Sequence, residues 1–210
     1  MNEHYNFAAS ISNYARTHRD NLALFVHTDT GQTAQRTYGE LSDEAAILHQ
    51  TFKNVGIQVG DRVLVLVNRG IDAYQIYLGL NHLGAVILPG SEMLRKGDIL
   101  YRVRHAQVKA VIVAPQIADE VDQALAEDDS VIRILTSGRR KGFHDLQDLR
   151  ALAAAQPLLE PADTRADEMA FLSYTSGTTG GPKGVVHVHG WPRAHIANAA
   201  TYWFDVQEGE

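Results

Sequence analysis

The sequence predicts an α/β fold of sheets flanked by helices. Helix-like and strand-like segments alternate along the chain, and apolar residues make up 45% of its 210 residues, enough for a real core. In addition, the run Val63-Leu64-Val65-Leu66-Val67 is apolar at every position, as a strand covered on both faces must be.

The elements follow in order. Thr37-Tyr38-Gly39-Glu40 fits a capping box, in which the Thr hydroxyl and the Glu carboxylate satisfy reciprocal backbone amides. Behind it Leu41, Ala45, Leu48, Phe52 and Val55 recur at steps of three and four, one face of an amphipathic helix, and Gly56 stands where a left-handed cap is wanted. A polar turn at Gly60-Asp61 leads into the strand at Val63–Val67. A second helix is expected over Ile71–Leu83, with Tyr74 and Tyr77 half-buried and Gly84 closing it. Ala85–Leu88 reads as a short strand stopped by Pro89-Gly90. Then come a helix over Asp98–His105, a strand at Ala110–Ala114, a helix over Ile117–Leu125, a strand at Val131–Leu135 and a helix over Asp145–Ala155. Pro157–Asp167 carries two prolines and no periodicity, and reads as a linker. Beyond it two apolar strands, Ala170–Tyr174 and Val185–Val188, bracket a dense Gly/Ser/Thr stretch.

Composition excludes several functions. With 19 Lys+Arg against 25 Asp+Glu, the net charge is −6 and no basic block exists, so a general nucleic-acid binder is not expected. The chain has no cysteine, which excludes a thiolate nucleophile, a disulfide framework and a Cys-bound metal. No apolar run is long enough to span a bilayer, and the start at Met1-Asn2-Glu3-His4 lacks the pattern of a signal peptide; a cytoplasmic location is the expectation.

The chemistry is concentrated in Thr175-Ser176-Gly177-Thr178-Thr179-Gly180-Gly181-Pro182-Lys183-Gly184. Four hydroxyls, four glycines and one lysine between two strands suit a polyphosphate: glycine lets backbone amides approach the anion, hydroxyls donate, and lysine adds a point charge. An ordinary hairpin loop of turn-formers is the alternative. Pro182 and Gly184 on either side of Lys183 break the Walker pattern, and no G-x-G-x-x-G follows the first strand.

Tyr174 through Val185 resembles the signature loop of the AMP-forming adenylating enzymes, among them acyl-CoA synthetases, aryl-CoA ligases, luciferases and peptide-synthetase adenylation domains. Thr37-Tyr38-Gly39-Glu40-Leu41 and Leu83-Gly84-Ala85-Val86 with Pro89 resemble further segments of that family. Pro89–Met93 through Asp98–Arg102 is most similar to medium-chain acyl-CoA synthetases. The resemblance implies two steps: a carboxylate attacks the α-phosphate of Mg-ATP to give an acyl-adenylate and pyrophosphate, and coenzyme A then displaces AMP. It implies that Lys183 and the hydroxyls of Thr175, Ser176, Thr178 and Thr179 hold the β- and γ-phosphates, and that Gly177 and Gly180 make the loop flexible. No general base and no residue acting directly as a catalyst is expected, because the nucleophiles are supplied by substrates. Enzymes of this family are more than twice as long; their adenine, ribose and hinge segments and C-terminal lobe have no counterpart here. The expectation is therefore an N-terminal fragment, inactive by itself, with residues 1–163 as one subdomain and residues 164–210 beginning a second. Mg²⁺ would arrive with ATP. Self-association of the chain is a further expectation. The rival readings are an adenylation domain loading a carrier protein and a non-catalytic nucleotide- or partner-binding module.

Other residues carry less. His187 and His189 fall on one face of a strand with His195 nearby, but no third ligand has metal-site spacing. Trp191, Trp203 and Phe204 read as core or interface packing, or as a patch that the rest of such an enzyme would cover. Arg139-Arg140-Lys141 reads as a solvated turn, and Ser173 lacks the G-x-S-x-G elbow of a hydrolase.

Overall fold

The central strand of the molecule, β3 (Arg62–Leu66), has four consecutive residues, Val63 to Leu66, with no solvent exposure. Such a strand needs partners on both edges and cover on both faces, and the computed structural model shows how these are supplied. The structure describes residues 3–27, 31, 33–175 and 181–200. β4 (Val86–Pro89) and β5 (Ala110–Val113) flank β3 in parallel, with Leu64 opposite Leu88 on one side and Val111 on the other. The sheet extends through β6 (Ile132–Leu135) and the short β7 (His144–Asp145) beyond β5. Beyond β4 lie β8 (Met169–Thr175) and β9 (Lys183–Val188). The order is β7-β6-β5-β3-β4-β8-β9, parallel throughout except for the antiparallel β8/β9 pair. A separate antiparallel pair, β1 (Leu22–His27) and β2 (Thr33–Thr37), precedes it.

Side-chain alternation along β3 divides the core into two. Val63 and Val65 point to a layer made by α2 (Tyr38–Asn54), α3 (Ile71–Leu83) and the start of α6 (Leu146–Ala154), with Leu48, Phe52, Ile76, Leu80 and Leu146. Leu64 and Leu66 point to the opposite layer, formed by α4 (Lys96–Ala106) and α5 (Ala118–Ala124), with Ile99, Val103, Val121 and Leu125. The expected fold class is present.

The capping box at Thr37 is formed in both directions: the Thr37 hydroxyl accepts from the Glu40 amide at 3.2 Å and the Glu40 carboxylate accepts from the Thr37 amide at 2.8 Å. α3 runs over the expected Ile71–Leu83, and Gly84 closes it at φ +79°; a Cβ there would also sit 2.9 Å from the Thr164 methyl. Gly79 has a different role, since its missing Cβ would lie 2.4 Å from the Leu48 Cβ, so it sets how closely α3 crosses α2.

Some expectations change. Tyr74 is 54% exposed rather than half-buried, because the buried stripe of α3 runs through Ala73, Ile76 and Leu80; Tyr77 is half-buried, with its ring edge-on to Phe171. The helix expected from Ile117 starts as a 3₁₀ turn over Pro115–Ile117. Residues 157–167 form no regular element, yet are fastened to the N-terminal segment: Asn6 caps α1 (Phe7–Ala15) with its carbonyl while its amide donates to Asn81 and Ala162 carbonyls. Tyr5 and Thr164 exchange backbone and hydroxyl bonds at 2.8 and 2.9 Å. The basic turn is not simply solvated, because Arg140 bridges Asp119 and Asp122 of α5 and lies over the Phe143 ring. Among the described residues, no helix is long and apolar enough to cross a membrane.

Between α2 and α3 two histidines are buried against one another, with His49 and His82 Nδ1 atoms 2.9 Å apart. Burial pushes each ring down to about 4; Lys53 adds to the effect at His49, and His49 does so at His82. The folded state thus holds both neutral, while the unfolded chain protonates near 6.5. Their stabilising contribution is complete above that value and declines as pH falls from about 6.5 toward about 4. Lowering pH from about 7.5 to 5 should cost about 2 kcal/mol per ring, read as a drop in the urea midpoint. Replacing both with glutamine should flatten that dependence; a midpoint with equal pH response in both proteins would refute the account. Gly79→Ala should destabilise by about 1–3 kcal/mol through the enforced contact with Leu48, whereas Gly97→Ala, with no atom within 4 Å of its Cβ position, should not; thermal denaturation compares them.

Candidate functional site

The Gly/Thr stretch connects the outermost two strands of the sheet. The β8/β9 ladder pairs Thr175 with Lys183, Tyr174 with Gly184 and Ser173 with Val185. The two expected phosphate ligands at the ends of the loop therefore face one another across the last rung, and both are exposed. Ser176, Gly177, Thr178, Thr179 and Gly180 lie outside the described residues. Gly184 suits the paired position for a packing reason, because a Cβ there would meet the Leu172 side chain at 2.9 Å.

Charge around Lys183 is unbalanced. It makes no ion pair or hydrogen bond among the described residues, and Lys183 through Tyr202 contains no Asp or Glu. An exposed ammonium without a counter-ion, opposite a threonine at the mouth of a glycine-rich loop, is chemically suited to a phosphate chain.

α4 supports the loop from the side. Tyr101 donates its hydroxyl to the Pro182 carbonyl at 2.8 Å, and His105 Nδ1 is hydrogen bonded to the Tyr174 hydroxyl at 2.8 Å. Tyr101 and His105 are four apart on one face of α4, with rings stacked at 5.4 Å, and the Arg102 guanidinium lies 5.2 Å from the Tyr174 ring centre. Burial, reinforced by Tyr101 and opposed by Arg102, pushes the Tyr174 phenol up, so it stays protonated at neutral pH. Sequence reasoning gave these residues no role; the signal available was the i, i+4 pair Tyr101/His105 and the position of Tyr174 immediately before the loop.

The histidines beyond the loop are split up. β9 ends at Val188, so His189 leaves the strand: it is fully buried, and both its ring nitrogens lack a partner among the described residues. Burial pushes its imidazole down, with Glu168 opposing. His187 instead packs on Trp191, which stacks on His195 at 5.4 Å in the helix α7 (Trp191–His195). No three metal-ligating side chains converge among the described residues. Trp191 is 44% exposed, so it is not core; Trp203 and Phe204 lie outside the described residues. Ser173 is half-buried within β8, without the turn that a nucleophile needs.

Comparison with known proteins identifies the family. The family model for the AMP-binding enzymes matches residues 11–210. The chain is 37% identical over 186 residues to an uncharacterized acyl–CoA ligase, YtcI, of Bacillus subtilis strain 168, covering 89% of this chain and 34% of that protein. It is 30% identical over 171 residues to the mitochondrial acyl-coenzyme A synthetase ACSM2 of Rattus norvegicus, covering 80% and 29%. Among solved structures it is similar to ATP-bound MatB from Rhodopseudomonas palustris, with a TM-score of 0.76, 28% identity, and 97% of this chain against 38% of that one. The chain belongs to the AMP-binding enzyme family, whose relatives here are acyl-CoA ligases and synthetases. It spans about a third of the length of the curated relatives it matches.

Proposed function

We propose that this chain supplies the phosphate-binding part of an ATP-dependent, AMP-forming acyl-CoA synthetase acting on a medium-chain fatty acid or similar small carboxylic acid. The observation that carries this reading is the rung pairing Thr175 with Lys183 at the mouth of the Gly/Thr loop, with the lysine free of any counter-ion among the described residues. Lys183, Thr175, Ser176, Thr178 and Thr179 would hold the β- and γ-phosphates, with Gly177 and Gly180 giving the loop its flexibility.

The chemistry asks little of this part of the protein. A substrate carboxylate oxygen attacks the α-phosphorus, the bond to the bridging oxygen of the β-phosphate breaks, and pyrophosphate departs carrying the negative charge that Lys183 offsets. Coenzyme A sulfur then attacks the acyl carbon of the adenylate, the carbon–oxygen bond to AMP breaks, and the thiol proton is released. Mg²⁺ enters with ATP as part of the substrate and needs no protein cage of its own. Residues 1–163 and 164–210 belong to two subdomains in this reading. The protein works in the cytoplasm, and the 210 residues alone do not make acyl-CoA.

Acid-dependent ATP–pyrophosphate exchange tests the reading. The complete protein should exchange with medium-chain acids, Lys183→Ala should reduce the rate by 10- to 100-fold (about 1.4–2.7 kcal/mol of phosphate stabilisation), and the 210-residue chain should show none. Unchanged exchange in Lys183→Ala, or exchange by the 210 residues alone, would refute it.

A further inference from the structure

The two ends of the loop are eight residues apart in sequence and meet in one rung, so whatever fixes that rung fixes how Thr175 and Lys183, the two expected phosphate ligands, are presented. Three features place that control outside the loop, on α4. The Pro182 carbonyl lies just before β9 begins, and the Tyr101 hydroxyl donates to it at 2.8 Å. On the facing strand, Tyr174 precedes Thr175 and is held through its hydroxyl by His105 and across its ring by Arg102, whose own NH1 donates to the Asp98 carbonyl at 2.9 Å. One helix face thus holds both sides of the opening, with Tyr101 edge-on to Tyr174 at 6.1 Å completing a closed ring of contacts.

The helix is a firm base for this. Ile99 and Val103 bury its other face in the core, Glu120 accepts from the Lys96 amide at 2.8 Å, and Arg62 of β3 donates to the Ala106 and Gln107 carbonyls at 2.8 Å. A surface aromatic cluster built only for packing would not need two hydrogen bonds aimed at the residues adjoining Thr175 and Lys183.

We propose that Tyr101 and His105 are positioning residues: they clamp the Pro182 and Tyr174 ends of the loop and so preset the Thr175–Lys183 aperture for the phosphates of ATP. Presetting removes part of the ordering cost of binding, and one hydrogen bond to the loop end corresponds to a fold-change of about five in nucleotide affinity. The inference rests on the phosphate-loop reading above.

Tyr101→Phe and Tyr174→Phe, which keep each ring and remove one hydroxyl, test it in the complete protein, with Lys183→Ala alongside. The expected result is a rise of about five-fold in KM for MgATP with KM for the acid unchanged, thermal stability preserved within a degree or two, and faster hydrogen exchange confined to residues 176–184. A change in melting temperature with KM for MgATP unaltered would overturn the clamp and leave a packing role. If Lys183→Ala weakens MgATP binding while both tyrosine variants match the wild type, the clamp fails and the phosphate-loop reading stands. If MgATP binds the wild type and Lys183→Ala equally, the phosphate-loop reading fails and the clamp's purpose falls with it.

Discussion

Everything in the molecule answers to the burial of β3. A strand with Val63 to Leu66 wholly out of solvent cannot be an edge and cannot have an open face. Parallel neighbours on both sides satisfy its backbone, and parallel pairing requires crossovers, which here are the helices that cover the faces. Alternation along β3 and β5 then assigns α2 and α3 to one layer and α4 and α5 to the other. The position of α4, and hence its reach to the β8/β9 hairpin, follows from that division.

The candidate site sits where this regularity stops. β9 runs antiparallel to β8 and lies at the edge of the sheet, so the hairpin that carries Thr175 and Lys183 stands at the sheet's rim rather than between crossovers. The fold fastens the two ends of the hairpin: Leu172 anchors it in the core, α4 holds its flank, and Lys183 has no neutralising partner among the described residues. A rigid frame beside a glycine-rich, lysine-bearing sequence is what the proposed phosphate positioning would require.

Much of this was legible in the sequence because local and tertiary demands agree. The Thr37/Glu40 capping box, the stripe Leu41–Ala45–Leu48–Phe52 and the Gly84 cap each have one reading, and the structure contains them. The solid apolar run at Val63 could be recognised as a doubly covered strand, and that at Ala110 as a strand. Other elements were not legible. α1, β1 and β2 were not read from the sequence; β2 (Thr-Ala-Gln-Arg-Thr) carries no apolar alternation, so only its pairing with β1 defines it. The fastening of residues 157–167 depends on Asn6, some 156 positions away, which no local pattern reveals. At the site, the loop's residue types suggest phosphate chemistry from sequence, whereas the contacts of Tyr101 and His105 with the hairpin follow only once the sheet order brings α4 beside it.

The central claim is that this loop reads a polyphosphate rather than the nucleoside. Phosphorus NMR of MgATP titrated with the complete protein tests it most directly, with inorganic pyrophosphate and AMP as competitors. Perturbed β- and γ-phosphate resonances, restored by pyrophosphate and lost in Lys183→Ala, are the result predicted. Perturbation confined to the α-phosphate, displaced by AMP and indifferent to pyrophosphate and to Lys183, would contradict it.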